Sequence, residues 1–394
     1  MSDLDTFRHE TREWLEANCP AGVRDSSQQM GVWGGRRATF PNDDARTWLE
    51  RMVEKGWTVP TWSKEYGGAG LSEDEANILT QEMQRIEANA PLFSFGMAML
   101  APALMEFASE EQKLEFLPPI ARGEIRWCQG YSEPGAGSDL ASLRTRAVRD
   151  GDHYVVNGSK IWTSDADVSD WIFALVRTDP DVPKHEGISF LLIDMETPGV
   201  SISPIELISG ASPFCETFFD DVRVPAANRI GEENKGWNIA KRLLQHERAM
   251  LSQGGRVRGP MRKSLVEVAR DVMRAPEGPL PEAALREELV QFEMDRLCYG
   301  ATFQRSADAA KAGRGPGPET SMFKLYLSEM NQRGSDLRQR IVGADGLGWE
   351  GEGFSKEELQ ITRVWLYGRA GTILGGTSEI QMNIIAKRVL GLPD

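Results

Sequence analysis

The residue of this chain best placed to do chemistry is a carboxylate set in an apolar stripe. From Ile239 the sequence runs with a helical period. Advancing about 100° per residue puts Leu243 at about 40°, Met250 at about 20°, Leu251 at about 120° and Gly254 at about 60°. Glu247 falls at about 80°, in the middle of these positions. A carboxylate facing a core must be paired or protonated, and burial raises its pKa toward neutrality. Such a group is either a general base near neutral pH or one half of an ion pair with a neighbouring Arg or Lys.

Three other segments could cradle a ligand. Trp127 to Leu140 reads WCQGYSEPGAGSDL, and its middle is a loop by composition: Pro134 has no N–H, and Gly135 and Gly137 admit backbone angles closed to other residues. It is an ordinary turn, or a concavity of bare amides that holds an anion or a flavin edge, with Ser132 and Ser138 adding hydroxyls. Lys160-Ile161-Trp162-Thr163-Ser164 sits near the end of a strand. Its indole is a half-buried sheet residue or a shield for one face of a planar cofactor, with Ser164 reaching the edge. In GTILGGTSEIQ, Gly371 to Gln381, Gly375 and Gly376 precede Thr377, a good N-cap. Free N–H groups there make an anion site or a plain interhelix turn. There is no Walker loop, no Ser–His–Asp spacing, and four histidines without metal-ligand spacing give no case for a metal.

These segments must be positioned by a large soluble fold. The 394 residues allow two or three domains, and 40% hydrophobic with 26% charged residues is a globular composition. A formal net charge of −14 disfavours nucleic acid and anionic membranes as partners. Cys19, Cys128, Cys215 and Cys298 lie far apart with no CxxC pair, which points to a reducing, cytoplasmic setting. The acidic N-terminus reads as neither signal nor transit peptide, and no run of about 18 apolar residues suggests a membrane span.

Residues 1–125 read as helical, with Ser72 capping a helix from Glu73 and a buried helix over Phe93–Phe107 whose Met and Phe form core or the wall of an acyl pocket. Residues 126–235 read as an antiparallel β-domain. Asp150-Gly151 and Asn157-Gly158 mark tight hairpins around a strand Asp152–Val156, followed by Ser159–Thr163. Further strands are expected at Trp171–Arg177, Ile188–Asp194, Val200–Ile205 and Thr217–Val224. Residues 236–394 read as a four-helix bundle, opening with one helix from Trp237 to Met273 that is irregular at Gly254-Gly255 or Pro260, and containing a linker at Gly313–Pro318.

In this order, YSEPGAGSD, KIWTS and GGTSEIQ with NIIAKRVLG after it resemble the signatures of the acyl-CoA dehydrogenase family, across essentially the whole chain. The resemblance implies an FAD enzyme that introduces a double bond between the α and β carbons of an acyl-CoA thioester. A carboxylate would remove the α-proton while hydride passes to flavin N5. By position, Gln129, Tyr131, Ser132, Gly137, Trp162 and Ser164 would contact the flavin. Ser138 would reach the pantetheine or phosphate part of CoA, and Thr377 and Glu379 the adenosine-diphosphate end. Most members carry the catalytic glutamate where this chain has Gly375; a minority, resembling isovaleryl- and long-chain acyl-CoA dehydrogenases, place it where this chain has Glu247, before Arg248. The resemblance therefore assigns Glu247 as base with Arg248 in support, and the Gly375 backbone N–H as a donor to the thioester carbonyl. The family's Arg-x-x-Phe-Gly segment is missing from RDVMRAPEGPLPEA, and Arg340 and Ala344 replace the usual Gln and second Gly of QIxGGxG. A homotetramer, the family's usual state, is the first expectation; the alternative is a heterotetramer in which a homologous partner supplies the cross-subunit FAD contacts. The wording WCQGYSEPGAGSDLASLRTRA also looks like large subunits of bacterial pairs acting on dicarboxylic or steroid side-chain acyl-CoAs. The expected electron acceptor is an electron-transferring flavoprotein. Alternatives are an oxidase or monooxygenase of the same fold, or a non-catalytic partner subunit.

Overall fold

The computed structural model describes residues 3–24, 32–253, 263–309 and 320–393, with the side chains of 245–253 outside that description. The chain divides into two compact units, one built on Met1–Ile205 and Pro213–His246, the other on Glu206–Ser212 and most of the chain from Glu247 on. None of the described helices is long and apolar enough to cross a membrane.

The first unit begins with helices α1 (Asp3–Asn18), α2 (Asp43–Glu54) and α3 (Glu73–Arg85), whose apolar faces bury Leu15, Trp48, Met52 and Leu79 together. Ser72 starts α3 with a full capping box: its hydroxyl accepts from Glu75 N–H and the Glu75 carboxylate returns to the Ser72 backbone. One polar group enters this core. Glu82 is 2% exposed and accepts from Arg8, Arg12 and Arg85 at 2.8–3.1 Å. Arg12 foremost, with the other two, holds its carboxyl down to about 2. Because the folded pKa lies below the unfolded one, this stabilisation is complete above the ordinary carboxyl range and is lost as pH falls toward 2. Glu82→Gln is expected to cost roughly 2 kcal/mol in urea unfolding at neutral pH, and the gap from wild type should close on acidification.

The segment read as one buried helix over Phe93–Phe107 is different at its start. Gly96–Leu100 forms a π-turn, in which Ala101 N–H reaches back to Gly96 C=O, before α4 (Ala101–Phe107). Pro102 has no N–H to give Ala98 an α-helical partner, so the ladder shifts by one residue there. Helix α5 (Glu110–Arg122) ends at Gly123 and leads into the sheet.

The sheet contains β1 (Trp127–Gly130), β2 (Arg146–Asp150), β3 (His153–Ser164), β4 (Trp171–Arg177), β5 (Ile188–Asp194), β6 (Val200–Ile205), β7 (Phe214–Pro225) and β8 (Arg229–Ile230), in the order β6-β7-β3-β2-β4-β5-β8. It is mostly antiparallel, with β1 running parallel to β4. The chain leaves the sheet at Gly130 opposite Ala174 and returns at Arg146 opposite Arg177. The segment between them is thus anchored at both ends to the same strand.

Asp150-Gly151 makes the expected hairpin, with Asp150 opposite His153. Asn157-Gly158 does not. Strand β3 runs on unbroken against β7, where Asp220 and Asp221 together stand opposite Asn157 as a bulge, with Asp221 at φ +48°; Gly158, at φ +143°, pairs with Phe219. The Asn157 amide exchanges two 2.9 Å bonds with Asp221, so it pairs across the sheet instead of closing a turn. A side chain at 158 would collide with the Thr145 backbone, 2.7 Å away.

The helix expected from Trp237 to Met273 is two helices. Helix α6 (Gly236–Gln253) is followed by α7 (Leu265–Val272), which Ser264 starts afresh with its own capping box. The irregularities expected at Gly254-Gly255 and Pro260, and the linker at Gly313–Pro318, lie outside the described residues. In the second unit α7, α8 (Ala283–Ala309) and α10 (Lys356–Gly368) each pack on α9 (Thr320–Val342). Leu265, Leu285, Leu289, Leu337 and Ile341 form the core shared by α7, α8 and α9. Helix α11 (Ser378–Ile384) follows α10 and also packs on α9.

Candidate active site

The loop from Tyr131 to Asp139 is ordered by a buried charge. Glu133 and Ala136 exchange backbone hydrogen bonds of 3.0 Å, closing the turn around Pro134 and Gly135. The Glu133 carboxylate accepts from Arg144 N–H at 2.6 Å, Thr145 N–H at 2.8 Å and Lys160 Nζ at 2.7 Å. Lys160 is fully buried and also donates to the Tyr131 carbonyl at 3.1 Å. Burial pushes the Lys160 ammonium down to about 8, and Glu133 opposes that. Burial alone would raise Glu133, but Lys160 and the Thr145 and Arg144 donors bring it below the usual carboxylate range, so the two are an ion pair at neutral pH. Behind the loop, buried Arg177 donates to the carbonyls of Ala141, Leu143 and Lys184. The exposed tip is tied by Lys184 to Asp139 at 2.8 Å.

This scaffold presents the sequence-predicted residues as follows. Tyr131 is buried, Gln129 and Ser132 are half-buried, and Gly137 and Ser138 are exposed. The Ser132 carbonyl accepts from Ile161 N–H at 2.9 Å, joining the loop to the end of β3. Trp162 follows at φ +61°, inside a register shift between Lys160 and Thr163. A non-glycine residue pays for that conformation, and the bulge turns its indole out of the sheet to 51% exposure, against the edge of Phe214. Ser164 is half-buried at the strand end, and Thr163 is held by Cys215 C=O and Thr217. An outward indole in a strained backbone, beside a glycine loop with open space over Gly135 and Gly137, fits a planar heterocycle with polar edges.

The C-terminal signature lies in the second unit. Gly375 and Gly376 stand at φ +65° and +93°, and Thr377 caps α11, its hydroxyl accepting from Ile380 N–H at 3.2 Å. Lys324 of α9, 6% exposed, donates to Gly376 C=O at 2.6 Å. Gln381 Nε2 donates to Gly375 C=O at 3.2 Å. With their carbonyls engaged, the glycines keep a defined turn. Glu379 is exposed in the first turn, and its own backbone N–H lowers its carboxyl. Glu247 and Arg248 belong to α6, but their side chains lie outside the described residues; earlier on that helix Ile239 and Leu243 of the apolar stripe are buried.

The middle-domain model of acyl-CoA dehydrogenases matches residues 128–222, the C-terminal-domain model 234–390 and the N-terminal-domain model 2–124. Acyl-CoA dehydrogenase IpdE1 of Mycobacterium tuberculosis is 37% identical over 398 residues, covering 100% of this chain and 99% of the relative. The chain belongs to the acyl-CoA dehydrogenase family. Family members are oxidoreductases and FAD-binding flavoproteins. Acyl-CoA dehydrogenase FadE26 of the same organism is 36% identical over 362 residues, 88% of each chain. Among solved structures, the Tcur3481-Tcur3483 steroid ACAD matches with a TM-score of 0.74 at 32% identity, over 100% of this chain and 98% of the other. The ChsE4-ChsE5 complex from Mycobacterium tuberculosis matches with a TM-score of 0.72 at 31% identity, over 100% and 98%.

The buried Glu133–Lys160 pair carried no assignment from sequence, although a signal existed: Lys160 shares an inward strand position with Tyr154 and Val156, where an unpaired charge is not tolerated. Lys324 and Gln381 gave no such signal, because their partners are backbone carbonyls about 50 and 5 residues away.

Proposed function

We propose that the chain is the flavin-carrying, catalytic chain of an acyl-CoA dehydrogenase that forms a 2,3-enoyl-CoA from a bulky acyl-CoA. The observation that carries the reading is the exchange of positions: a family chain with glycine at 375 and a glutamate on α6, at 247, within an apolar stripe. Glu247 removes the α-proton, with Arg248 beside it in sequence. The Gly375 N–H donates to the thioester carbonyl, which acidifies that proton and stabilises the developing enolate. Gln129, Tyr131, Ser132, Gly137, Trp162 and Ser164 hold the flavin, Ser138 the CoA arm, and Thr377 and Glu379 the adenosine-diphosphate end. Bound FAD supplies the hydride acceptor.

A homologous second chain completes the assembly in this reading, in place of a homotetramer. Two observations support it: Arg340 stands at the position of the family's usual Gln, and two of the similar solved structures are named as pairs of chains, Tcur3481-Tcur3483 and ChsE4-ChsE5. An electron-transferring flavoprotein is the proposed acceptor. The absent side chain at 375 widens the acyl pocket, consistent with relatives described as a steroid ACAD. Anaerobic titration of the flavin spectrum with a panel of acyl-CoAs tests this. Ring-bearing or branched thioesters are expected to bleach the flavin, and a sharp preference for short straight chains would count against the wide pocket. Peroxide formed without an added acceptor would point to an oxidase.

A further inference from the structure

Lys160 and Glu133 are charged, buried and idle in the chemistry above. A buried ion pair is a poor device for stability alone, since apolar residues of similar volume do as well or better. What this pair does offer is geometry. Three backbone groups converge on it, the Tyr131 carbonyl and the Arg144 and Thr145 amides, so that five polar groups meet there. They come from both ends of the loop between β1 and β2 and from the strand that bears Trp162. The adjacent 2.9 Å bond from Ile161 N–H to Ser132 C=O depends on the same alignment. Without Lys160 the link between the loop and that strand falls to the Ile161–Ser132 bond and the 3.1 Å bond from Thr145 Oγ1 to Ser159 C=O.

We propose that Lys160, acting through Glu133, is a positioning residue for FAD: it holds the Tyr131–Asp139 loop in register with the end of β3, so that Ser132 and Trp162 present one surface to the flavin. The proposal rests on the flavoenzyme reading above. Neither residue touches the substrate; their effect is exerted through Ser132 and Trp162.

The test uses the full-length chain, as wild type, Lys160→Met, Glu133→Gln and the double variant. Three quantities are read: the FAD dissociation constant, the visible flavin spectrum, and amide exchange of the flavin-free chain over residues 131–145 and 161. Each single variant is expected to weaken FAD binding by about tenfold or more, and the double variant no further than the worse single, because both break one latch. Exchange should quicken over 131–145 and at Ile161, with β4 and β5 unchanged. An unchanged FAD affinity and spectrum, even with a lowered melting temperature, would show the pair to be structural only and overturn the proposal. Independent, additive losses would overturn it equally. If Lys160→Met does not fold, Glu133→Gln carries the same comparison, since it keeps a bond to Lys160 but sets an amide N–H against the Arg144 or Thr145 donor. A wild-type chain that takes up no FAD, alone or with its partner, sinks the flavoenzyme reading, while the exchange data still decide whether the latch holds the loop.

Discussion

Glu247→Gln should yield a protein that keeps its flavin and binds acyl-CoA yet bleaches slower than wild type by about 10²–10⁴-fold. The amide is nearly isosteric, so packing on α6 is retained, but it cannot accept the α-proton at any usable pH. Without a base of suitable strength, the α-carbon keeps its proton and no hydride leaves the β-carbon. Rapid-mixing absorbance of the flavin under anaerobic conditions reads this step directly. A substrate-induced spectral perturbation that persists without bleaching would separate lost chemistry from lost binding. Undiminished bleaching would remove Glu247 from the mechanism.

Gly375→Pro is expected to lower kcat by about 10²–10³-fold, the usual cost of one lost donor to a developing oxyanion. Proline deletes the N–H assigned to the thioester carbonyl. It also cannot adopt the φ of +65° found at this position, so Gly375→Ala is the necessary control. Alanine keeps the N–H and carries left-handed backbone strain of about 1–2 kcal/mol. The signature is then expected to survive, because Lys324 and Gln381 grip its carbonyls from α9 and α11. A kcat for the proline variant no lower than that of the alanine variant would show that the 375 amide does not polarise the substrate. The same positive φ explains why restoring a glutamate at 375 in a Glu247→Gln background should recover little activity: the longer side chain pays the αL penalty and fills the space the glycine leaves.

Much of this protein was legible in its sequence because the signals are local. The short apolar runs over 171–177 and 188–194 and the alternation over 200–205 place β4, β5 and β6 with their observed bounds, since a strand buried on both faces is apolar throughout and one buried on a single face repeats with the pleat. Ser72 with Glu75 announces a helix start by chemistry confined to four residues. Three signatures in fixed order were enough to suggest a family.

Tertiary structure decided what depends on distant partners. Asn157-Gly158 has the composition of a hairpin turn, but Asp221, 64 residues away, captures the Asn157 amide and the strand continues. The helix read through to Met273 is interrupted, and the apolar period alone could not show where Ser264 begins another. Trp162 reads as a sheet residue until the bulge turns it outward. Lys160 stands at an inward strand position, but nothing local names Glu133, 27 residues away, as its partner. Only burial makes each charge require the other, because desolvation, which no local pattern records, is paid in the folded chain alone.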